Sequence, residues 1–496
     1  MSPIFKPSSM RSPENIVIAI ALLALCAVAY TRFFRSRVTL AHLPPGPTGH
    51  WFFGNTIPKL HAHRKFEEWT QEYGSLFTLK RGRELIIVVG RYQAATDIME
   101  KEGASLVDRP RSISGGETLS GGMRTLLVGA GDRLRKLRRA LHSQLQSKVA
   151  ETYEPIQMMN AKNVILDILA RPSDHQAHAR RYAASVIMSI TYGKATPTSY
   201  SDPSVQKVNI CAARLGSVLT PGAYFVESFP FLRYLPGYLD QLRQWHREEL
   251  SLFRGQLDEV RKQMAVNQAR PCFAKYLLER QQEFELTDDE LAYLAGSMFG
   301  AGSDTSAAAI SIVIMAAACF PRTQLKVQEE LDTVVGRDRL PTFGDMDALP
   351  QTIAFVMESF RWRPVSAGGF MHRATKDIIW KNYVIPAGAT VAGNHWSIGR
   401  DPEVFPDPET FNPQRWINKD GNIRDDIRYF NFGFGRRVCV GQHVANRSLF
   451  INTALLLWAF TISQNPAKPI DTLAFTNTAN VHPLPFEAKF EPRIDD

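Results

Sequence analysis

The stretch LTDDELAYLAGSMFGAGSDTSAAAISIVIMAAACFP, Leu286–Pro321, constrains the fold more than any other part of the chain. Thr287 followed by Glu290 has the form of a capping box, Asp288 and Asp289 suit a first helical turn, and Pro321 ends the pattern. The spacing predicts a helix of about thirty residues, apolar nearly all round in its later half, and such a helix has to be buried. Its middle, AGSDT at Ala301–Thr305, breaks the rule. An ionisable Asp304 inside a buried helix is costly unless paired or used, and Gly302 costs about 1 kcal/mol of helix stability. Two penalties at one place predict a functional kink where a ligand approaches the helix. The plainer alternative is a capped or solvated turn where two helices meet.

Near the other end lies FGFGRRVCVG, Phe432–Gly441. Glycines let a backbone approach another group closely, arginines pair with carboxylates and phosphates, and a lone thiolate is a nucleophile or a metal ligand. The loop therefore suits an anionic, metal-containing object. The five cysteines are odd in number and widely spaced, without a C-x-x-C, which excludes a disulfide framework and fits a reducing compartment. Cys439 and His443 are four apart but lack a third and fourth ligand nearby, which argues against zinc. A third cluster is LPQTIAFVMESFRWRP, Leu349–Pro364, a packed helix with Glu358 and Arg361 on one face. Alone, that pair reads as a surface ion pair. Arg415 in FNPQRW offers a third member, and a buried glutamate can be satisfied by two arginines.

The N-terminus carries the apolar run IVIAIALLALCAVAY, Ile16–Tyr30, extended by Phe33 and Phe34 and followed by Arg32, Arg35 and Arg37. Its length approaches the roughly 20 residues that span a bilayer, and the arginines favour a cytosolic body over a cleaved signal peptide. LPPGP, Leu43–Pro47, reads as a stiff hinge. The expected organisation is a membrane anchor and hinge over residues 1–42, with a transmembrane segment at about 15–34, then one domain over 43–496. A net charge of +9 without a long basic run suits an anionic membrane or acidic partner better than nucleic acid.

Together these motifs resemble the cytochrome P-450 family of haem-thiolate monooxygenases. The form F-x-x-G-x-R-x-C-x-G is carried by Phe432, Gly435, Arg437, Cys439 and Gly441, preceded in order by A-G-x-D-T, E-x-x-R and F-x-P-x-R-W. The resemblance runs from about residue 43 to the end and is closest to microsomal, fungal natural-product members. It implies a mainly α fold with small β-sheets, with haem b held between the long central helix and the Cys loop. Cys439 would be the iron ligand. Glycines 433, 435 and 441 would let the backbone approach the macrocycle, and Arg437, His372 and Arg138 would contact the propionates. The family's tryptophan four residues before that arginine is replaced by Leu134, with Arg135 or Arg124 as candidate substitutes. Asp304 and Thr305 match an acid–alcohol pair that delivers protons in an apolar pocket. Glu358, Arg361 and Arg415 match a structural triad for folding and haem retention.

The resemblance further implies electrons from NADPH through NADPH-cytochrome P-450 reductase, with cytochrome b5 as a further candidate donor, and an endoplasmic-reticulum membrane location with one span. In RLRKLRRALH, Arg133, Lys136 and Arg139 are expected to face the cytosol as the reductase-docking surface, a solvated basic face being the alternative. The pocket would be lined from Arg109–Met123, about Leu215–Phe231, Ala295–Thr305, Val365–Met371 and the tail near Phe475. That lining is mostly apolar and suits a terpenoid, then a polyketide, better than an ionised metabolite. A reductase-independent isomerase or dehydratase, and a non-catalytic haem-binding membrane protein, are the competing readings. The distal acid–alcohol pair argues against the first.

Overall fold

The computed structural model describes residues 43–493 except 52, 83, 195–201, 221 and 429, with Val17, Ile20, Ala21 and Ala24 near the N-terminus. The membrane anchor and its orientation therefore lie outside the described residues. Ten described helices reach twelve residues or more: α1 (Ala62–Tyr73), α2 (Asp132–Leu145), α3 (Glu154–Ala170), α4 (His175–Tyr192), α5 (Pro203–Leu219), α6 (Asp240–Ala265), α7 (Asp288–Cys319), α8 (Pro321–Val334), α9 (Pro350–Trp362) and α10 (Gln442–Ala459). The strands are short. β1 (Leu76–Arg81), β2 (Glu84–Val89), β3 (His372–Arg373) and β6 (Thr390–Gly393) form one sheet in the order β1-β2-β6-β3, antiparallel except for the β2–β6 pair. β4 (Ile378–Trp380) with β5 (Tyr383–Ile385), and β7 (Phe460–Ser463) with β8 (Lys489–Pro492), are antiparallel pairs.

The α7 helix is the axis of the molecule. Its capping box forms as the sequence predicts: Thr287 Oγ1 accepts from Glu290 N–H, and the Glu290 carboxylate accepts from Thr287 N–H. Residues Ala307–Ala318 are all buried, which answers its all-round apolar character. It is the one described helix long and apolar enough to cross a membrane, but its apolar window is mostly buried in protein. The helix runs unbroken through Gly302, and that glycine has a packing reason. A Cβ there would lie 2.7 Å from Ile187 Cδ1 on α4, and one at Gly296 would lie 2.2 Å from the Phe253 ring on α6. Both glycines let neighbouring helices close on α7.

Midway along α7 the burial lapses. Ala301 is exposed and Thr305 partly so, between stretches on both sides that are almost wholly buried. The helix therefore borders an internal space at this level. The C-terminal tail is pinned beside it: Val481 N–H donates to Val365 O at 2.7 Å, Ser366 Oγ donates to Asn480 Oδ1 at 2.8 Å, and Phe475 bridges Pro483.

Candidate active site

The Cys loop owes its shape to a left-handed backbone at Gly433 and Gly435, with φ of 85° and 49°. A Cβ at Gly435 would stand 2.8 Å from Gly103 Cα, so the neighbouring segment by itself requires a glycine here. Gly435 N–H also donates to Glu100 Oε2 at 2.9 Å. Gly441 has an ordinary φ of −86° and opens α10. Cys439 N–H donates to Phe432 O at 2.9 Å, and the Phe432 ring packs on Phe360, which closes the loop on α9. The Cys439 side chain is accessible. Burial in surrounding protein nevertheless pushes its thiol pKa up, opposed by the Gly441 N–H, the Arg138 guanidinium and the Gln442 N–H. An accessible sulfur within dense protein faces an internal space, and two backbone N–H groups and the Arg138 charge stand ready to stabilise its thiolate.

Around that space the structure gathers an excess of cations. Strand β3 pairs with β6, and the segment before Arg109 runs alongside it: Arg373 N–H donates to Asp108 O at 3.0 Å and His372 Nδ1 pairs with Leu106 O at 2.7 Å. Arg109 is thereby brought against the same strand, donating to Phe370 O at 3.0 Å and Met371 O at 2.5 Å. The turn Gly435–Arg437 aims Arg437 at Val107 O and Val128 O, both at 2.6 Å. Arg138, on α2, donates to Val438 O at 2.9 Å. None of the three arginines has an ion pair among the described residues. Burial, then Arg437 and Arg138, pushes Arg109 down to about 9. Burial, then Arg138, pushes Arg437 down to about 10. Burial, then Arg109, pushes His372 down to about 3. Asp108 is the acid that opposes this field. Its Oδ1 is taken by Ala130 N–H at 2.7 Å.

Buried cations without counter-charges are costly, so this cluster calls for an anionic partner carrying more than one charge. The two propionates of haem meet that need, and an accessible, donor-flanked cysteine beside them meets the need of its iron. The residues present fit the group. Arg109 is the member missed in the sequence, where it was only the first residue of a pocket-lining segment and carried no motif of its own. The two expected substitutes for the tryptophan at Leu134 are both engaged elsewhere. Arg135 pairs with Asp132 at the surface. Arg124, largely shielded from solvent, pairs with Glu249, and its guanidinium lies over the Tyr293 ring at 5.4 Å. Burial works against that guanidinium, but Glu249 and Tyr293 outweigh it and its pKa rises.

On the α7 side, Thr305 Oγ1 donates to Ala301 O at 2.9 Å, which holds the hydroxyl beside the accessible turn. Asp304 is not free. Its Oδ1 lies 2.8 Å from His482 Nε2, and its Oδ2 accepts from Asn480 Nδ2 at 3.1 Å. Burial alone would raise this carboxyl, but His482, Asn480 and Arg180 outweigh burial and lower it. The acid of the acid–alcohol pair is thus an anion tied to the C-terminal tail.

The third cluster assembles as a buried network. Glu358 is fully buried and takes Arg361 bidentately, Nε at 2.8 Å and Nη2 at 2.7 Å, with Arg415 Nε at 3.1 Å. Trp416 Nε1 and Asn412 N–H complete its lone pairs at 2.9 and 2.8 Å. Arg361 spends its remaining donors on Gly399 O and Pro408 O, each at 2.8 Å. The surface-pair alternative is overturned, because the segment holding Arg415 and Trp416 folds over the helix and removes water.

The expected docking face on α2 is largely neutralised within the chain. Arg133 pairs with Glu290 at 2.9 Å, Lys136 pairs with Glu285, and Arg139 donates to Glu283 O at 3.0 Å. A basic run on one helix met an acidic run at the start of another, and only the fold sets them opposite each other.

Comparison with known proteins agrees with this geometry. The family model "Cytochrome P450" matches residues 44–490. Cytochrome P450 monooxygenase 113 of Postia placenta is 59% identical over 462 residues, 93% of each chain. Cytochrome P450 monooxygenase 88 of the same fungus is 56% identical over 482 residues, 97% of each chain. Cytochrome P450 monooxygenase fogE of Aspergillus ruber is 33% identical over 91% of this chain and 87% of its own. A cysteine on an internal space, a cation cluster that calls for a dianion, and this likeness over nearly the whole chain lead to one conclusion: the chain belongs to the cytochrome P450 family, as a haem-dependent monooxygenase supplied with electrons by a redox partner.

Proposed function

We propose that this enzyme inserts one oxygen atom of O2 into an apolar small molecule, as a hydroxylation in fungal secondary metabolism, with a terpenoid as the first substrate class and a polyketide as the second. The observation that carries the site assignment is the cluster of Arg109, Arg138, Arg437 and His372, its arginines without an ion pair among the described residues, beside the accessible Cys439. When bound there, haem supplies the redox chemistry and the oxygen activation. Cys439 would hold it as the thiolate ligand, with the Gly441 and Gln442 N–H groups and Arg138 stabilising the charge on sulfur. The three guanidiniums and His372 would hold the propionates. Thr305 and Asp304 would deliver protons from the α7 side, and Glu358, Arg361 and Arg415 keep the loop region in register.

The natural electron donor on this reading is NADPH-cytochrome P450 reductase, with cytochrome b5 as a further donor, and the enzyme sits on the endoplasmic-reticulum membrane. Exposed Phe225, Phe229, Phe231 and Tyr234, with Trp51 and Phe53 near the start of the domain, support contact with a lipid surface. The deciding experiment is the carbon monoxide spectrum of the reduced protein. The long-wavelength Soret band of thiolate-ligated haem is expected, and its persistence in Cys439→Ala would refute the ligand assignment. Terpenoid and polyketide panels, read by substrate-induced change in the haem spectrum, test the substrate class. A response confined to ionised metabolites would exclude both.

A further inference from the structure

We propose that His482 is the partner through which Asp304 is recharged with protons, so that the C-terminal tail is part of the proton path. This inference rests on the reading that Asp304 and Thr305 deliver protons. His482 Nε2 stands 2.8 Å from Asp304 Oδ1, and Asn480 holds the other oxygen at 3.1 Å. The imidazole is positioned from behind: His482 N–H donates to Thr476 Oγ1 at 2.9 Å, Thr476 N–H donates to His482 O at 2.9 Å, and Asn480 is fixed by Ser366. Both members of the pair are partly accessible, His482 at 19% and Asp304 at 29% of their side chains. A cavity of about 240 Å³ reaches the Asp304 side between α4, α5 and α7, with Arg180, Asn209 and Ser303 in its wall. Its size and polar lining suit several waters.

A carboxylate held as an anion by its neighbours is a poor store of protons but a good conduit for them. The imidazole supplies what it lacks, since one ring nitrogen can give a proton while the other takes one up. In the step proposed, the Nε2–H bond of the His482 imidazolium breaks as an Asp304 Oδ–H bond forms, which leaves a neutral imidazole and a neutral carboxyl group. Asp304 then passes its proton toward Thr305, and His482 takes a replacement from water. Two such protons, with two electrons from the redox partner, convert one atom of O2 to water while the other enters the substrate. The rival account is a purely structural one, in which the pair only clamps the tail to α7.

The test compares His482→Gln, which keeps a hydrogen-bond donor but cannot carry a proton, with Asp304→Asn and the double variant. All are full-length, haem-loaded and reduced by NADPH and purified reductase, with 7-ethoxycoumarin as the surrogate substrate. His482→Gln is expected to retain the cofactor and the substrate-induced spectral change, but to release several-fold more hydrogen peroxide per NADPH, with a larger solvent isotope effect on the product-to-peroxide ratio. In denaturant unfolding of the haem-free proteins, the double variant should lose less in midpoint than the sum of the singles. Parental peroxide release in His482→Gln overturns the proposal and leaves the clamp. Additive midpoints overturn the pair itself. If Asp304→Asn also releases peroxide at the parental rate, the underlying proton-delivery reading fails as well. Should His482→Gln lose haem, His482→Asn takes its place in the same comparison, where parental peroxide release again overturns the proposal.

Discussion

Single side chains here differ in role according to what neutralises them. Arg109 and Arg124 are both buried arginines of one short region, yet Arg109 ends on carbonyl oxygens and Arg124 on Glu249. Replacing Arg109 with Met should relieve repulsion in the haem-free protein and speed haem loss about tenfold, the worth of one charge-assisted bond at roughly 1.5 kcal/mol. Transfer of haem to apomyoglobin measures it. Arg124→Met should do the reverse, destabilising the fold by about 3–5 kcal/mol through the stranded Glu249, with little change in the rate of haem loss. Thr305 poses a different test. Its hydroxyl is held by Ala301 O at the accessible turn of α7, so Thr305→Ala should leave NADPH use and surrogate binding intact while diverting oxygen to hydrogen peroxide. The ratio of product to NADPH consumed reports it. An unchanged ratio would remove Thr305 from the proton path.

Among the elements, α7 separates what local sequence accounts for in a helix from what packing adds. Its cap, its stop and its burial follow from local chemistry, since each depends on residues within one or two turns. Gly302 does not, because its neighbour Ile187 lies on another helix. Gly302→Ala should therefore lower stability by about 1–3 kcal/mol through overpacking, despite the alanine's better helix propensity. Combining it with Ile187→Ala should recover part of the loss. Urea unfolding midpoints of the two single variants and the pair check this, and strictly additive losses would mean that the two side chains do not meet. The same reasoning explains the basic run on α2. Periodicity identifies its outer face, but the groups that cover it, the Glu285 and Glu290 carboxylates and the Glu283 carbonyl, come from a distant segment.

At the scale of the molecule, burial of neutral histidines ties stability to pH. His63 and His372 are pushed down to about 3 and His395 to about 4, each chiefly by burial. Below the ordinary histidine range the unfolded chain binds protons that the folded one refuses, so stability falls as pH drops from about 6.5 toward 4. Each such histidine contributes up to about 1.4 kcal/mol per pH unit in that window. Haem-free protein should show a steep fall in denaturant midpoint between pH 7 and 5, made shallower by His395→Gln. A flat profile would refute neutral burial. The sequence alone established the features that lie within a few residues: the glycine-rich cysteine loop, the capped and buried α7, the Glu358–Arg361 spacing, and the order of motifs that marks the family. Tertiary structure alone decided which distant groups meet: Arg109 with Arg437 and His372, Arg124 with Glu249, Gly435 with Gly103, Asp304 with His482. The physical reason is range. Backbone geometry sets which face a side chain occupies over a turn or a strand, whereas the partner of a buried charge is chosen by the packing of segments far apart in the chain, and no local pattern encodes it.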